Sequence, residues 1–137
     1  MADFINTIDV IGDDALADSI ISRNIIEYKD NIVTSIGGYA FGNCTNLTSV
    51  DFPVVTSIDN HVFQYCTNLT TLILRNATMC RLNNKNAFSN TAITNGTGYI
   101  YVPRALVDSY KSATNWSTYA SVFRALEDYP EICGGEE

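Results

Sequence analysis

The sequence predicts an α/β-type repeat solenoid: about three coils, a short parallel β-sheet and a helical cap at each end. Three observations predict it. The chain matches itself when slid by 22 residues. Within each repeat, apolar residues alternate over a short run, as strand side chains must to reach one face. Helix signals flank the repeats on both sides.

The self-match is dense. Val33-Thr34-Ser35-Ile36 falls on Val55-Thr56-Ser57-Ile58, Phe41 on Phe63, and Cys44-Thr45-Asn46-Leu47-Thr48 on Cys66-Thr67-Asn68-Leu69-Thr70. Ten of the 16 positions from Val33 to Thr48 are identical to their partners, far above chance. Val50 with Leu72 and Phe52 with Leu74 continue the match conservatively. The period falls in the leucine-rich-repeat range of about 20–29 residues, and Leu69-Thr70-Thr71-Leu72-Ile73-Leu74 fits L-x-x-L-x-L. One such coil cannot enclose a core alone, so neighbouring coils bury each other's apolar rows.

The stretch TSIGGYAFGNCTNLTSVDFP, followed by TSIDNHVFQYCTNLTTLIL, resembles the BspA-like leucine-rich repeats of bacterial surface proteins. The pattern I-x-x-x-A-F-x-x-C-x-x-L-x-x-I-x-L-P falls on Ile36, Ala40, Phe41, Cys44, Leu47, Val50, Phe52 and Pro53. In the next coil it falls on Ile58, Val62, Phe63, Cys66, Leu69, Leu72 and Leu74. The second coil departs at Val62, where Ala is usual, and at Arg75, where Pro is usual. The likeness covers about residues 25–125.

The elements follow in order. Asp13-Asp14-Ala15-Leu16-Ala17-Asp18-Ser19-Ile20-Ile21 reads as an N-terminal cap helix, with acids at its start and an apolar stripe at Leu16, Ile20 and Ile21. Ile25-Ile26-Glu27-Tyr28 supplies the first strand. A degenerate third coil has Leu82, Ala87-Phe88 and the closing strand Tyr99-Ile100-Tyr101-Val102. Pro103 suits the first position of a helix carrying Leu106, Val107 and Tyr110 on one face. Asn115 suits the N-cap of a second short helix. Val122-Phe123-Arg124-Ala125-Leu126 is either a final strand or the end of that helix. The string YVPRALVDSYKSATNWSTYASVFRAL also resembles the closing segment of many BspA-like proteins. The expected layout is one domain: cap helix 1–24, coils 25–102, C-terminal cap 103–130 and a frayed tail 131–137.

Composition excludes several functions. Net charge is −7 and the eight basic residues are scattered singly, so a nucleic-acid footprint is not expected. The acidity also argues against an anionic membrane, and no apolar run approaches the ~18 residues of a spanning helix. Met1-Ala2-Asp3-Phe4 has no basic n-region and no uninterrupted apolar run after it, so no signal peptide is expected. No cofactor, catalytic or metal site is expected.

Residues that could carry chemistry have simpler readings. Cys44 and Cys66 would stand about 4.8 Å apart in adjacent coils, yet no second close pair completes a zinc set. They are expected to be free thiols packed as small hydrophobes, with Cys133 exposed in the tail. His61, the sole histidine, replaces Tyr39 and has no nucleophile tied to it by a motif. Paired carboxylates could act on a glycoside, and Glu27 and Asp51 are expected outward on neighbouring strands, but nothing shows a pocket that would raise either pKa, so solvated surface is the reading. Gly37-Gly38 is a turn rather than a phosphate loop. The N-x-S/T triplets at Asn43, Asn46, Asn68, Asn76, Asn95 and Asn115 arise from an Asn- and Thr-rich repeat.

The remaining feature is the outward sheet face, carrying Glu27, Lys29, Ser49, Asp51, Thr71, Ile73 and Arg75. Tyr99 and Tyr101 alternate with Ile100, so either the tyrosines or Ile100 face outward. The concave face of a solenoid commonly binds partners. The resemblance implies a non-catalytic module for a protein or glycan ligand. Short repeats of this kind are similar to those encoded by bacteriophages of gut bacteria, which implies a virion- or tail-associated attachment protein, virion-borne or cytoplasmic. A cell-surface adhesin, or a fragment of one, is the alternative. A glycoside-processing enzyme is the reading of another class.

Overall fold

Among the described residues nine short strands form two sheets, and every pairing is parallel. The computed structural model describes residues 10–11, 27–29 and 32–133. The first sheet runs β1 (Val10–Ile11), β3 (Ser35–Ile36), β5 (Ser57–Ile58), β7 (Arg81–Leu82). The second runs β2 (Glu27–Lys29), β4 (Ser49–Phe52), β6 (Thr71–Leu74), β8 (Tyr99–Val102), β9 (Phe123–Ala125). Up to β8, the strands alternate between the sheets along the chain.

The 22-residue match becomes register. Ser35 pairs with Ser57 and Ile36 with Ile58 in one sheet; Val50 pairs with Leu72 and Phe52 with Leu74 in the other. The third repeat is stretched, with Ser57 opposite Arg81 and Thr71 opposite Tyr99, but the ladders continue. A third line of inter-repeat bonds runs along the turns: Phe41 N–H donates to the Val62 carbonyl and Phe63 N–H to the Ala87 carbonyl. Repeated side chains therefore stack in columns between the sheets.

The main column is aromatic. Phe63 lies between Phe41 at 5.3 Å and Phe88 at 5.5 Å, the rings nearly parallel in each pair. Tyr28 closes one end against Phe41, edge-on at 5.0 Å. Trp116 and Tyr119 close the other against Phe88. Beside this column, Cys66 Sγ donates to the Phe41 carbonyl at 3.0 Å, binding one repeat to the previous one.

The C-terminal segment ends both sheets. β9 adds a fifth strand to the second sheet, parallel to β8. Among the described residues no strand pairs beyond β7 in the first sheet, and side chains meet its edge instead. Cys80 N–H donates to the Tyr110 hydroxyl, Trp116 Nε1 donates to the Cys80 carbonyl, and Asn115 Nδ2 donates to the Leu82 carbonyl. An edge with unmet backbone groups invites pairing with another chain, and these bonds remove the template. Tyr110 comes from α1 (Val107–Ser112), with Leu106 and Val107 packed half-buried beside it.

Several expectations change. The expected helix over 13–21 lies outside the described residues, as do Ile25 and Ile26. The strand there is Glu27–Lys29, with Tyr28 inward. Pro103 precedes the first helical turn, Arg104–Leu106, rather than opening it. Asn115 makes no side-chain cap; its φ is 67° and its amide is used on Leu82. Val122–Leu126 resolves as a strand from Phe123. Glu131 to Cys133 are not frayed: Pro130–Cys133 forms α2, and Cys133 is buried. Residues 134–137 lie outside the described residues.

Candidate functional site

The longer sheet sorts its residues by parity. Tyr28, Val50, Phe52, Leu72, Leu74, Ile100 and Val102 point into the core. The alternate residues make two outward rows. One is Glu27, Ser49, Thr71 and Tyr99; the other is Lys29, Asp51, Ile73, Tyr101 and Arg124. Ile100 faces inward, so it is the tyrosines that face outward.

The first row is open. Glu27 is exposed, and Ser49, Thr71 and Tyr99 are partly exposed. The Arg124 guanidinium lies 4.5 Å from the Tyr99 ring centre, a cation–π contact that fixes one end of the row. The second row is open at Lys29, whose side chain is 58% exposed and 4.0 Å from Asp51, and partly exposed at Asp51 and Arg124.

The middle of the second row is covered. Ile73 is only 4% exposed and Tyr101 3%, although both point away from the core. After β9 the chain turns through Leu126–Asp128 and lays α2 across the sheet. Cys133, Leu126 and Tyr129 pack on Ile73 and Tyr101, with the Tyr101 and Tyr129 rings edge-on at 5.1 Å. The expectation that Ile73 faces solvent is corrected: its side of the strand was right, but a later segment shields it. Burial, with Cys133, Tyr129 and Tyr99 nearby, pushes the Tyr101 phenol above its usual range.

Arg75 fastens this cover. Its Nε and Nη2 donate to the two Asp51 oxygens at 2.8 and 2.9 Å, a bidentate pair across adjacent strands. Nη2 also donates to the Cys133 carbonyl. Arg75 stands where the repeat pattern usually has Pro, so the departure has a structural use. Glu27 and Asp51 lie outward on neighbouring strands as expected but in different rows: Glu27 stands opposite Ser49, and Lys29 opposite Asp51.

Cys44 and Cys66 are placed as expected, and Cys133 is not. Cys44, Cys66 and Cys80 are free and buried. The hydrogen bond with Cys44, then burial, push the Cys66 thiol up; burial pushes Cys80 to about 12 and Cys133 to about 11. Because the thiolate is the nucleophile, all four should label with a thiol reagent only after denaturant unfolds the chain. Mass spectrometry counts the adducts, and rapid addition of even one label to the folded protein contradicts this arrangement. His61 stacks on Tyr39 at 4.9 Å with the rings 3° from parallel. Among the described residues no group of three or more His, Cys, Asp or Glu could hold a metal ion.

The cover was legible only faintly. Leu126, Tyr129 and Cys133 are spaced as one helical stripe, but nothing local names the surface they meet. The upstream strand was missed as well. Val10-Ile11-Gly12 and Ala15-Leu16 keep step with Ser35-Ile36-Gly37 and Ala40-Phe41, and β1 pairs with β3 in that register. The spacing there exceeds 22 residues, which hides the match. A comparison with characterised proteins found no match. The family model described as a BspA type leucine rich repeat region (6 copies) matches residues 2–105.

Proposed function

The chain belongs to the BspA-type leucine-rich-repeat family, and from that premise we propose that it is a non-catalytic binding module, a short capped solenoid that docks a protein partner on its longer sheet. Leucine-rich repeats are typically binding rather than catalytic units. The observation carrying the reading is the open outward row, where Glu27, Ser49, Thr71 and Tyr99 stand in register on four adjacent strands beside Lys29. A rigid sheet holds these side chains at fixed spacing, so little ordering cost falls on binding. The mixed charge suits a polar protein surface and gives specificity rather than general stickiness. We place the module on a bacteriophage virion or tail, where it attaches to a host; a bacterial adhesin would use the same face.

A Glu27→Lys, Thr71→Arg double variant tests it. Both side chains point away from the core, so the melting temperature should stay within a few degrees. Capture of an envelope protein from host cells should fall at least tenfold. Unchanged capture excludes the open row as the docking surface.

A further inference from the structure

The turn side of the repeats carries a second surface unlike the sheet face. Two residues in each full repeat have left-handed backbone there: Tyr39 and Asn43, then His61 and Tyr65, with φ from 55° to 64°. Asn90 continues the row of Asn43 and Tyr65, with φ 61°. Backbone bonds link the row: Asn43 N–H donates to the Gln64 carbonyl and Tyr65 N–H to the Ser89 carbonyl. Asn tolerates this backbone readily, while a tyrosine is a costlier occupant. Tyr39 recovers part of that cost by stacking on His61. Tyr65 has no ring contact or side-chain hydrogen bond among the described residues, and it is 45% exposed. A strained and solvated aromatic with no structural partner calls for another explanation.

Its neighbours supply one. Tyr65 N–H bonds the carbonyl of Ser89, and Ser89 and Asn90 line an open groove of about 420 Å³. The polar residues Asn86, Ser89, Asn90, Thr94 and Thr118 line it, the Ser89 and Thr94 hydroxyls donating to the Asn86 and Thr91 carbonyls. A second groove of about 320 Å³ shares Asn90 and Thr94 and adds Thr67 and Asn95. Tyr119 forms the floor of the first, its hydroxyl given to the Lys85 carbonyl. Lys85 is the one charged residue in either lining. The Asn86 and Asn90 side-chain amides have no intramolecular partner among the described residues.

We propose that this turn edge is a binding site for neutral oligosaccharides, in which Tyr65 packs on the C–H face of a sugar ring while Asn86 and Asn90 hydrogen-bond its hydroxyls. A sugar hydroxyl both donates and accepts, and a carboxamide offers both capacities at once. A tyrosine ring supplies apolar area at small rotamer cost and with a polar tip. A charged glycan fits less well: one lysine faces it on a molecule of net charge −7. The site is separate from the sheet face and stands or falls apart from it.

The test is an array of neutral hexose and N-acetylhexosamine oligomers, with sialylated and sulfated oligomers on the same slide. The protein should bind neutral oligomers. Tyr65→Gly and Asn90→Gly should each weaken that binding at least tenfold, with the melting temperature within a few degrees, because glycine accepts positive φ. The Glu27→Lys, Thr71→Arg variant should bind the array as the parent does. Silence on neutral oligomers, preference for charged ones, or undiminished binding by both glycine variants overturns the proposal. So does loss of array binding in the sheet-face variant, which would move the saccharide to the strands. Silence on the array with envelope-protein capture intact removes the saccharide site alone and leaves the binding-module reading standing.

Discussion

Phe63→Ala lowers the melting temperature by about 10–20 °C, corresponding to a loss of about 3–5 kcal/mol. Phe63 is fully buried and touches aromatic rings on both sides, Phe41 and Phe88, each from a different repeat. Truncation removes a ring's worth of apolar burial and leaves a cavity. The cavity cannot close easily, because both neighbouring repeats are held at fixed spacing by ladders in two sheets and along the turns. His61→Ala, two residues away, should cost under about 1 kcal/mol, since that ring is partly exposed and stacks on one partner at the surface rather than filling the core. Thermal unfolding followed by circular dichroism compares them. Equal losses would mean that the aromatic column is not what holds the repeats together.

Repetition explains why this column was readable from the amino-acid sequence. A residue at one point of a repeat must meet its equivalent in the next, so Phe41, Phe63 and Phe88 could be stacked before any coordinates. Alternation likewise gave the side of the sheet for Tyr28, Val50 and Leu72. Neither regularity says what lies beyond the face. Ile73 and Thr71 have equivalent parity, yet Thr71 is partly open and Ile73 is covered by a residue sixty positions later. That contact is non-local and occurs once, so periodicity holds no trace of it. Asn115 was misread for a related reason. Asn before a helical run usually caps it, but here the edge of β7 needed a donor for the Leu82 carbonyl, and tertiary demand outweighed the local preference.

Ile73→Glu should destabilise the protein by about 2–3 kcal/mol, mainly by lifting the C-terminal cover off the sheet. The substitution places a carboxylate among Tyr101, Cys133 and Tyr129, where an uncompensated charge is expensive. Asp51 is its cross-strand neighbour and adds like-charge repulsion. Arg75 could turn toward the new carboxylate, but only by weakening its fork on Asp51 and its bond to the Cys133 carbonyl. The repeats themselves have no reason to unfold, because Leu72 and Leu74 keep their places in the core. The cost is therefore bounded by the docking energy of residues 126–133. Thiol labelling separates this local event from global unfolding. In the folded variant Cys133 should react with a thiol reagent at least tenfold faster than in the parent, while Cys44, Cys66 and Cys80 stay protected. If Cys133 remains protected, α2 does not depend on Ile73 for its position. If all four thiols become reactive together, the cover and the repeats unfold as one unit, and the outward face of the second sheet is part of the cooperative core rather than a surface that a segment of the same chain lies upon.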